Sequence, residues 1–286
     1  MAESKLEQGI NSLDERYGIT MAYLGRLVEN RVSVDRDANS AIATHMRKFG
    51  ESQQHLNPAY LAWRSIASAG KHAGLAEHLR FVTGGGILDR PQASLARVTL
   101  LGAARAIFVL QPESARERIS RAAKLANHEA KDARRMLDAW SDRSAMVPGL
   151  LGELDKQTSK LAESAGRILV RDGFKEGTSV NDSEMLRVVS AQLPGDPDQS
   201  VTRVLELWNR ASGVAHARSW TWNTPYGIDH QFDFIDTWSV PVELLVEAWK
   251  LWNLRRGIDD PSPEPPDGWK PDRSHWGSYP GSDDRA

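Results

Sequence analysis

The stretch DRPQASLARVTLLGAARAIFVL, residues 89–110, contains the longest apolar run of the chain. Its apolar residues recur at intervals of three and four, which is the period of one face of an α-helix. The preceding TGGG at 83–86 is a break, and Asp89 offers a side-chain acceptor for a new helix start. We therefore predict a helix from Asp89 to Leu110. Arg105 interrupts the run and argues against a membrane span.

The same period runs through most of the chain, whereas alternating strand-like segments are scarce. We predict an all-α fold, a multi-helix bundle with a short irregular or hairpin insertion near 219–236 and an extended C-terminal tail. Asn57-Pro58 is typical of a cap followed by proline in the first turn, and Asp182-Ser183 is a second candidate cap. The other predicted helices cover 6–32, 36–49, 58–81, 112–140, 147–171, 182–193, 201–218 and 240–256.

Composition divides the chain into two regions. Residues 1–257 carry the helical pattern and form the predicted domain, whereas 258–286 are rich in Pro, Gly, Ser and Asp. A segment of that composition buries little apolar surface. We therefore predict a partly disordered tail that docks, if at all, through Trp269, Trp276 or Tyr279.

Bulk composition excludes some classes of function. The 286 residues include 36 Lys and Arg against 38 Asp and Glu, a formal net charge of -2, so no overall field draws the chain to nucleic acid or to an anionic membrane. There is no cysteine, which removes disulfides, thiolate nucleophiles and thiolate zinc sites. The start, MAESKLEQGI, lacks a basic region followed by an apolar run. We expect a cytoplasmic protein with no membrane association.

Two local motifs resemble ligand sites without completing them. Gly84-Gly85-Gly86 is followed by no Lys-Ser/Thr pair and preceded by no strand pattern, so we interpret it as an interhelical loop. His128 and Asp132 lie one helical turn apart, but no third ligand accompanies them. We predict no metal and no cofactor.

Arginine and tryptophan are unevenly distributed. The segment 113–138 mixes arginines with glutamates and aspartates, which is typical of a solvated helix face, although the arginine excess would form an RNA-facing groove if the arginines aligned. Eight of the ten tryptophans follow residue 200. For these we favour helix packing or a dimer interface over base stacking, and Trp249 with Trp252 has helical spacing.

The segment WNRASGVAHARSWTW at 208–222 carries the candidate catalytic pair, Arg210 and His216. A histidine can take or give the proton of an RNA 2′-hydroxyl or of a leaving oxygen near neutral pH. An arginine can stabilise the charge that develops on phosphate. This chemistry requires no metal.

Helical geometry restricts how this pair can act. Residues six apart on a helix point about 120° from one another. Arg210 and His216 therefore converge only through long side chains, distortion at Gly213 or a partner subunit. Asn209 and Ser212 lie on the same face as His216 and form with it a polar stripe that would position the histidine.

An arginine followed six positions later by a histidine, near the end of a helical domain, resembles the motif of the HEPN superfamily. The resemblance covers this one motif. It implies an all-α fold, a metal-independent endoribonuclease or RNA-binding relative, and a homodimer in which two motifs meet. It assigns Arg210 to phosphate stabilisation and His216 to general acid and base catalysis, supported by Asn209 and Ser212. Ala211 departs from the polar residue common after the arginine, which counts against nuclease activity.

A second resemblance is carried by Arg90-Pro91, Gln111-Pro112 and SGVAH at 212–216. It is to helical proteins of actinobacteria and their phages, and it implies no particular activity. The function that competes with RNA cleavage is a non-catalytic helical interaction or scaffold protein with a tryptophan-rich C-terminal surface. In that interpretation Gly213 and Ala215 let another helix approach closely.

Overall fold

A computed structural model describes residues 5–29, 37–49, 53–84, 89–141, 148–191, 193, 195–215, 230–258 and 263–274. Within these ranges the regular structure is helical and contains no strand, so the predicted all-α multi-helix fold is confirmed. A short 3₁₀ helix at Gln54–Leu56 precedes the third α-helix. The α-helices are α1 Lys5–Glu29, α2 Ala41–Phe49, α3 Pro58–Val82, α4 Asp89–Leu110, α5 Ala115–Ser141, α6 Pro148–Arg171, α7 Asp182–Ser190, α8 Pro197–Ala215 and α9 His230–Arg256.

The helix α4 lies at the centre of the bundle. It packs mainly against α3 and α9, and it also contacts α7 and α8. Its packing surface is rich in small buried residues, namely Ala96, Gly102, Ala103, Ala104 and Ala106. A Cβ atom built on Gly102 would lie 2.7 Å from the carbonyl oxygen of Ser65. Glycine at this position therefore allows α3 and α4 to approach more closely than any side chain would permit.

Burial explains the apolar composition of α4. In the described part of the chain, Pro91–Leu110 is the one segment long and apolar enough to cross a membrane, but most of it is buried inside the bundle. It also carries Arg97 and Arg105. These properties are those of a core helix and are consistent with a soluble protein.

The helix α1 crosses α3 at a pair of glycines. A Cβ atom built on Gly25 would lie 2.9 Å from the Cα atom of Gly74, closer than two carbon atoms normally pack. Met21, Leu24 and Val28 are buried along the same helix. The backbone of α1 is therefore held directly against that of α3.

The cap of α3 is the predicted one, whereas that of α7 is not. Asn57 Oδ1 accepts a hydrogen bond from the Ala59 amide at 3.0 Å, and Pro58 is the first residue of α3. At α7 the cap is Asn181, whose Oδ1 accepts from the Glu184 amide at 2.8 Å. The predicted cap at Asp182-Ser183 is wrong because Asn and Asp both cap helices well, and acidic residues are also favoured in the first turn.

The last helix is longer than predicted. It begins at His230 rather than near Val240, so 230–236 of the predicted irregular insertion are helical, and 219–229 lie outside the described residues. Pro241 lies inside this helix, although proline usually begins or interrupts a helix. Phe234 and Trp238 are fully buried and continue the apolar face of α9 on the N-terminal side of the proline. Their burial stabilises the helix across it.

The described tryptophans of the C-terminal third lie mostly in the core. Trp208, Trp238, Trp249 and Trp252 are all buried. The ring of Trp63 on α3 contacts those of Trp249 and Trp252, with centroids 6.1 and 5.5 Å apart. The predicted packing role is confirmed for these residues. Trp220, Trp222 and Trp276 lie outside the described residues.

The described part of the tail, 263–274, docks on the helices without forming a helix or strand of its own. The ring of Trp269 meets that of Tyr23 on α1 edge-on, with centroids 5.0 Å apart. Arg273 Nη2 donates to the fully buried carboxylate of Glu77 on α3 at 3.1 Å. Docking through Trp269 is thus confirmed, while Trp276 and Tyr279 lie outside the described residues.

A buried histidine and arginine join α2 to α5. Arg118 Nε donates to His45 Nε2 at 3.0 Å, and Arg118 Nη1 donates to the carbonyl oxygen of Pro112 at 2.7 Å. His45 is 1% exposed. Burial, together with the nearby charges of Arg118 and Lys48, lowers the pKa of His45 to about 4. The imidazole is therefore a neutral acceptor at neutral pH.

Replacing Gly25 by leucine is expected to lower the free energy of unfolding by about 1 to 3 kcal/mol, because the side chain would force α1 away from α3. The measurement is urea denaturation. Gly152→Leu is the matched control, since Gly152 is an exposed α6 residue with open space around its Cβ position. Equal stability of the two variants would contradict the close crossing.

Lowering the pH from 6.5 to 4 is expected to destabilise the fold through His45. Over this range the unfolded chain binds a proton at His45 that the folded chain does not. The free energy of unfolding therefore falls by roughly 3 kcal/mol as the pH is lowered. His45→Gln keeps an acceptor for Arg118 without titrating, so the stability of this variant is expected to depend less on pH.

Protonation of Asp14 has the opposite effect on the free energy of unfolding, over an overlapping pH range. Burial raises the pKa of Asp14 from 3.8 to about 6, against the lowering effect of Arg80, so its contribution to stability is lost as the pH rises from 3.8 to 6. Comparing wild type with His45→Gln cancels this contribution. His55→Gln, at an exposed histidine, is the control. Parallel stability curves for wild type and His45→Gln would rule out the buried histidine as the source.

Candidate functional site

The candidate pair begins on the last turns of α8. Arg210 and Ser212 are half-buried and Asn209 is exposed. The helix continues through the buried Gly213 to Ala215 without a break. His216 lies outside the described residues, so its convergence with Arg210 stays a prediction.

Arg210 pairs with a carboxylate of α9. Its Nη1 lies 2.6 Å from Asp236 Oδ2, and the Asp236 side chain is 65% exposed. The pair borders a small surface cavity of about 110 Å³. Asp236 was missed by sequence reasoning because it falls in the stretch predicted to be an irregular insertion. The apolar period of α9, extended back from Trp238 to Phe234, was the signal that could have placed it on a helix.

Ser212 is linked to the central helix α4. Arg97 Nε donates to Ser212 Oγ at 3.0 Å, and the Arg97 guanidinium lies over the ring of Trp208, 4.3 Å from its centroid. A hydroxyl that accepts one hydrogen bond can still donate its own proton. Of the polar stripe predicted on α8, Ser212 therefore has a defined partner, whereas Asn209 faces solvent.

A basic groove runs between α3 and α4, and we call it the α3–α4 groove. Its cavity of about 380 Å³ is lined by three arginines, Arg64, Arg97 and Arg105, together with His55, Tyr60, Leu61, Ser65, Ser68, Val98, Leu101, Gly102 and the carboxylate of Glu129. Arg105 pairs with Glu129 at 3.2 Å. The exposed Arg64 lies over the ring of Tyr60, 5.7 Å from its centroid. Positive charge therefore exceeds negative charge along this groove.

Helical spacing explains how the groove forms. Arg97 and Arg105 are eight residues apart on α4, and Tyr60 and Arg64 are four apart on α3, so each pair shares one face of its helix. These spacings were the sequence signal for a basic groove. From the sequence, the arginine-rich segment 113–138, which forms most of α5, was instead the candidate for such a groove.

The arginines of α5 do not all lie on one surface, although Arg116 and Arg121 line the same cavity. Arg118 points inward to His45 and is 4% exposed. Arg116 pairs with Asp172 at 3.0 Å, and Arg121 pairs with Glu117 at 2.8 Å. Most of the positive charge of this helix is therefore engaged within the protein.

The candidate metal ligands on α5 are His128 and Asp132. His128 Nε2 lies 3.5 Å from Asp132 Oδ2. Among the residues that the structure describes, no group of three or more histidine, aspartate or glutamate side chains could hold a metal ion.

Arg97→Lys is expected to lower the free energy of unfolding by about 1 kcal/mol, because lysine cannot both stack on Trp208 and donate in the same plane to Ser212. Urea denaturation measures the change. Arg64→Lys, at an exposed arginine of the same groove, is expected to stay within about 0.5 kcal/mol of wild type. If Arg97→Lys were as stable as Arg64→Lys, the link between α4 and α8 would not matter for stability.

No family model, curated protein or solved structure matches this chain.

Proposed function

We propose that this chain is a cytoplasmic, HEPN-like RNA-binding protein that cleaves RNA without a metal. In this proposal the RNA strand lies in the α3–α4 groove, Arg210 stabilises charge on the scissile phosphate, and His216 moves the protons. One observation carries the proposal. The side chain of Arg97 lines the groove and donates to Ser212, so the groove reaches α8, the helix that bears the candidate pair. Arg210, two residues before Ser212, lies on a different face of α8 and lines the separate cavity that it shares with Asp236, so the RNA strand continues around α8 to reach it.

The groove supplies what an RNA strand requires for binding. Phosphates are attracted by arginines, and the release of their counterions drives much of the affinity. Arg64 is exposed at the groove, whereas Arg105 is paired with two carboxylates, those of Glu129 at 3.2 Å and Asp182 at 3.7 Å. The ring of Tyr60 adds an aromatic face of the kind on which unpaired bases stack. These features favour a single-stranded substrate.

The pairing of Arg210 with Asp236 is compatible with phosphate binding. The carboxylate is largely exposed, and exposed ion pairs contribute about 0 to 1 kcal/mol. A phosphate oxygen can therefore take the place of Asp236 on the guanidinium. In the absence of RNA, Asp236 holds Arg210 in one orientation.

The proposed chemistry uses the RNA's own hydroxyl as the nucleophile. A neutral His216 accepts the proton of the 2′-hydroxyl, whose oxygen then forms a bond to phosphorus. The bond from phosphorus to the 5′-oxygen breaks, and that oxygen takes a proton from an imidazolium. Arg210 stabilises the additional negative charge in the transition state. Asn209 and Ser212 support the histidine, and the resemblance implies that two motifs meet in a homodimer.

The competing function is a non-catalytic interaction or scaffold protein with a tryptophan-rich surface. Trp208, Trp238, Trp249 and Trp252 are buried, and Trp269 packs on Tyr23. These residues are therefore engaged in packing, and the described part of the chain offers this alternative little tryptophan surface.

The test is cleavage of mixed single-stranded RNAs by the purified protein in the presence of a chelator. We expect cleavage by wild type and a loss of about 100-fold or more in Arg210→Ala and His216→Ala, the range that acid and base groups contribute. Arg135→Ala removes an exposed arginine of α5 and is the matched control, expected to keep full activity. Equal inertness of wild type and His216→Ala would favour the non-catalytic function.

A binding arm of the same test separates the groove from the reaction. With His216→Ala as the background, fluorescence anisotropy measures RNA affinity at several salt concentrations. Adding Arg64→Ala or Arg105→Ala is expected to weaken binding and to reduce the slope of log affinity against log salt by about 0.7 for each lost phosphate contact. An unchanged slope would place the RNA elsewhere.

A further inference from the structure

A second cavity lies between α4, α5, α7 and the connection from α6 to α7. We call it the α5–α7 cavity. Its volume is about 470 Å³. Phe108, Phe174, Val180 and Val188 form apolar parts of its wall, and Lys124 and Arg121 line it from α5. The RNA proposal uses none of these residues.

The wall of this cavity is held in place by hydrogen bonds from α5. Asn127 Nδ2 donates to the carbonyl oxygens of Glu176 and Thr178 at 2.8 and 3.0 Å. Lys131 Nζ donates to the carbonyl oxygen of Gly177 at 2.9 Å and to Ser179 Oγ at 2.8 Å. The connection that covers α5 is thus fixed before any ligand arrives.

The end of α6 positions the aromatic part of this wall. Gly173 has a φ of +91°, a conformation that ends a helix and that glycine adopts without strain. The amide of Phe174 then donates to the carbonyl oxygen of Leu169 at 2.9 Å. This turn places the Phe174 ring against Lys124, whose Nζ lies 3.9 Å from the ring centroid.

Lys124 differs from the other described lysines in its surroundings. Its side chain is half-buried, and its amine lies against the ring of Phe174. Burial, and next the charge of Arg121, lowers its pKa, while Glu184 and Glu117 act in the opposite direction. A lowered pKa increases the fraction of neutral, nucleophilic amine at neutral pH.

Among the described residues, the cavity lining carries three cations, Arg116, Arg121 and Lys124, and three carboxylates, Glu117, Asp172 and Glu184. Of these cations, Arg121 is the one beside the amine that can hold an anion. Arg121, one turn before Lys124, donates from Nη1 to the carbonyl oxygen of Phe108 and to Gln111 Oε1. Its Nη2 pairs with the exposed Glu117, and an exposed carboxylate is readily replaced on a guanidinium by another anion. The buried carboxylate of Asp172 is already bonded to both Arg116 and Arg171. Its negative charge is therefore compensated and does not repel an incoming anion.

We propose that the α5–α7 cavity binds small aldehydes or ketones that carry an anionic group, and that Lys124 forms an imine with them. Arg121 holds the anion, and the apolar wall receives the carbon skeleton. The nitrogen of neutral Lys124 attacks the carbonyl carbon, and the resulting carbinolamine loses water to give the imine. The step is reversible and requires neither an oxidant nor a reductant.

The test uses pyridoxal 5′-phosphate, an aromatic aldehyde with a phosphate group, followed by borohydride reduction and peptide mass spectrometry. We expect Lys124 to be modified several-fold faster than the exposed Lys71 and Lys160, because burial lowers the pKa of the Lys124 amine and the cavity holds the aldehyde beside it. Modification of Lys124 no faster than these residues would overturn the proposal.

Two controls make this result specific. Lys124→Arg is expected to remove the fast-reacting site, whereas Lys71→Arg is expected to leave it unchanged. Inorganic phosphate is expected to slow labelling of Lys124 more than chloride does at equal ionic strength. Equal labelling in the two salts would overturn the assignment of an anion site. Neither readout depends on RNA cleavage, so this proposal and the proposed function can fail separately.

Discussion

The close approach of α3 and α4 at Gly102 is the contact on which the rest of the bundle depends. Because Gly102 has no Cβ, the backbone of α4 lies directly against Ser65 and Ala69 of α3. The helix α1 packs on α3, and α9 packs on both α3 and α4. Because cores are packed at the density of crystals, a wider spacing of the central pair would open gaps under both outer helices.

The same contact shapes the proposed RNA groove. Gly102 and Ser65 line the groove between the two helices. Small residues at the crossing leave room above it, while the longer arginines of both helices border that space. The packing of the core and the position of positive charge at the surface therefore have one cause, the absence of large side chains where α3 meets α4.

Arginines hold the turn between α4 and α5, and this turn decides where α5 begins. Arg255, in the last turn of α9, donates from Nε to the carbonyl oxygen of Leu110 and from Nη2 to that of Gln111, both at 3.0 Å. Arg118, which lies in α5, donates to the carbonyl oxygen of Pro112. Carbonyl groups at the end of a helix lack partners within it, and these guanidinium groups satisfy them. Because this turn decides where α5 begins, it also decides the position of Lys124 and of the α5–α7 cavity.

The sequence by itself determined the helical fold class, most helix positions and the Asn57 cap, because a period of 3.6 and a local side-chain acceptor are properties of neighbouring residues. It misplaced the start of α9, since Pro241 carries a local signal for a helix start that burial of Phe234 and Trp238 outweighs. It pointed to Arg210 as a candidate, but the partners that define the surroundings of Arg210 came from the tertiary structure. Asp236 is 26 positions away, and Arg97 lies 115 positions from Ser212. Contacts between residues so far apart depend on how whole helices pack, and no local pattern encodes that packing.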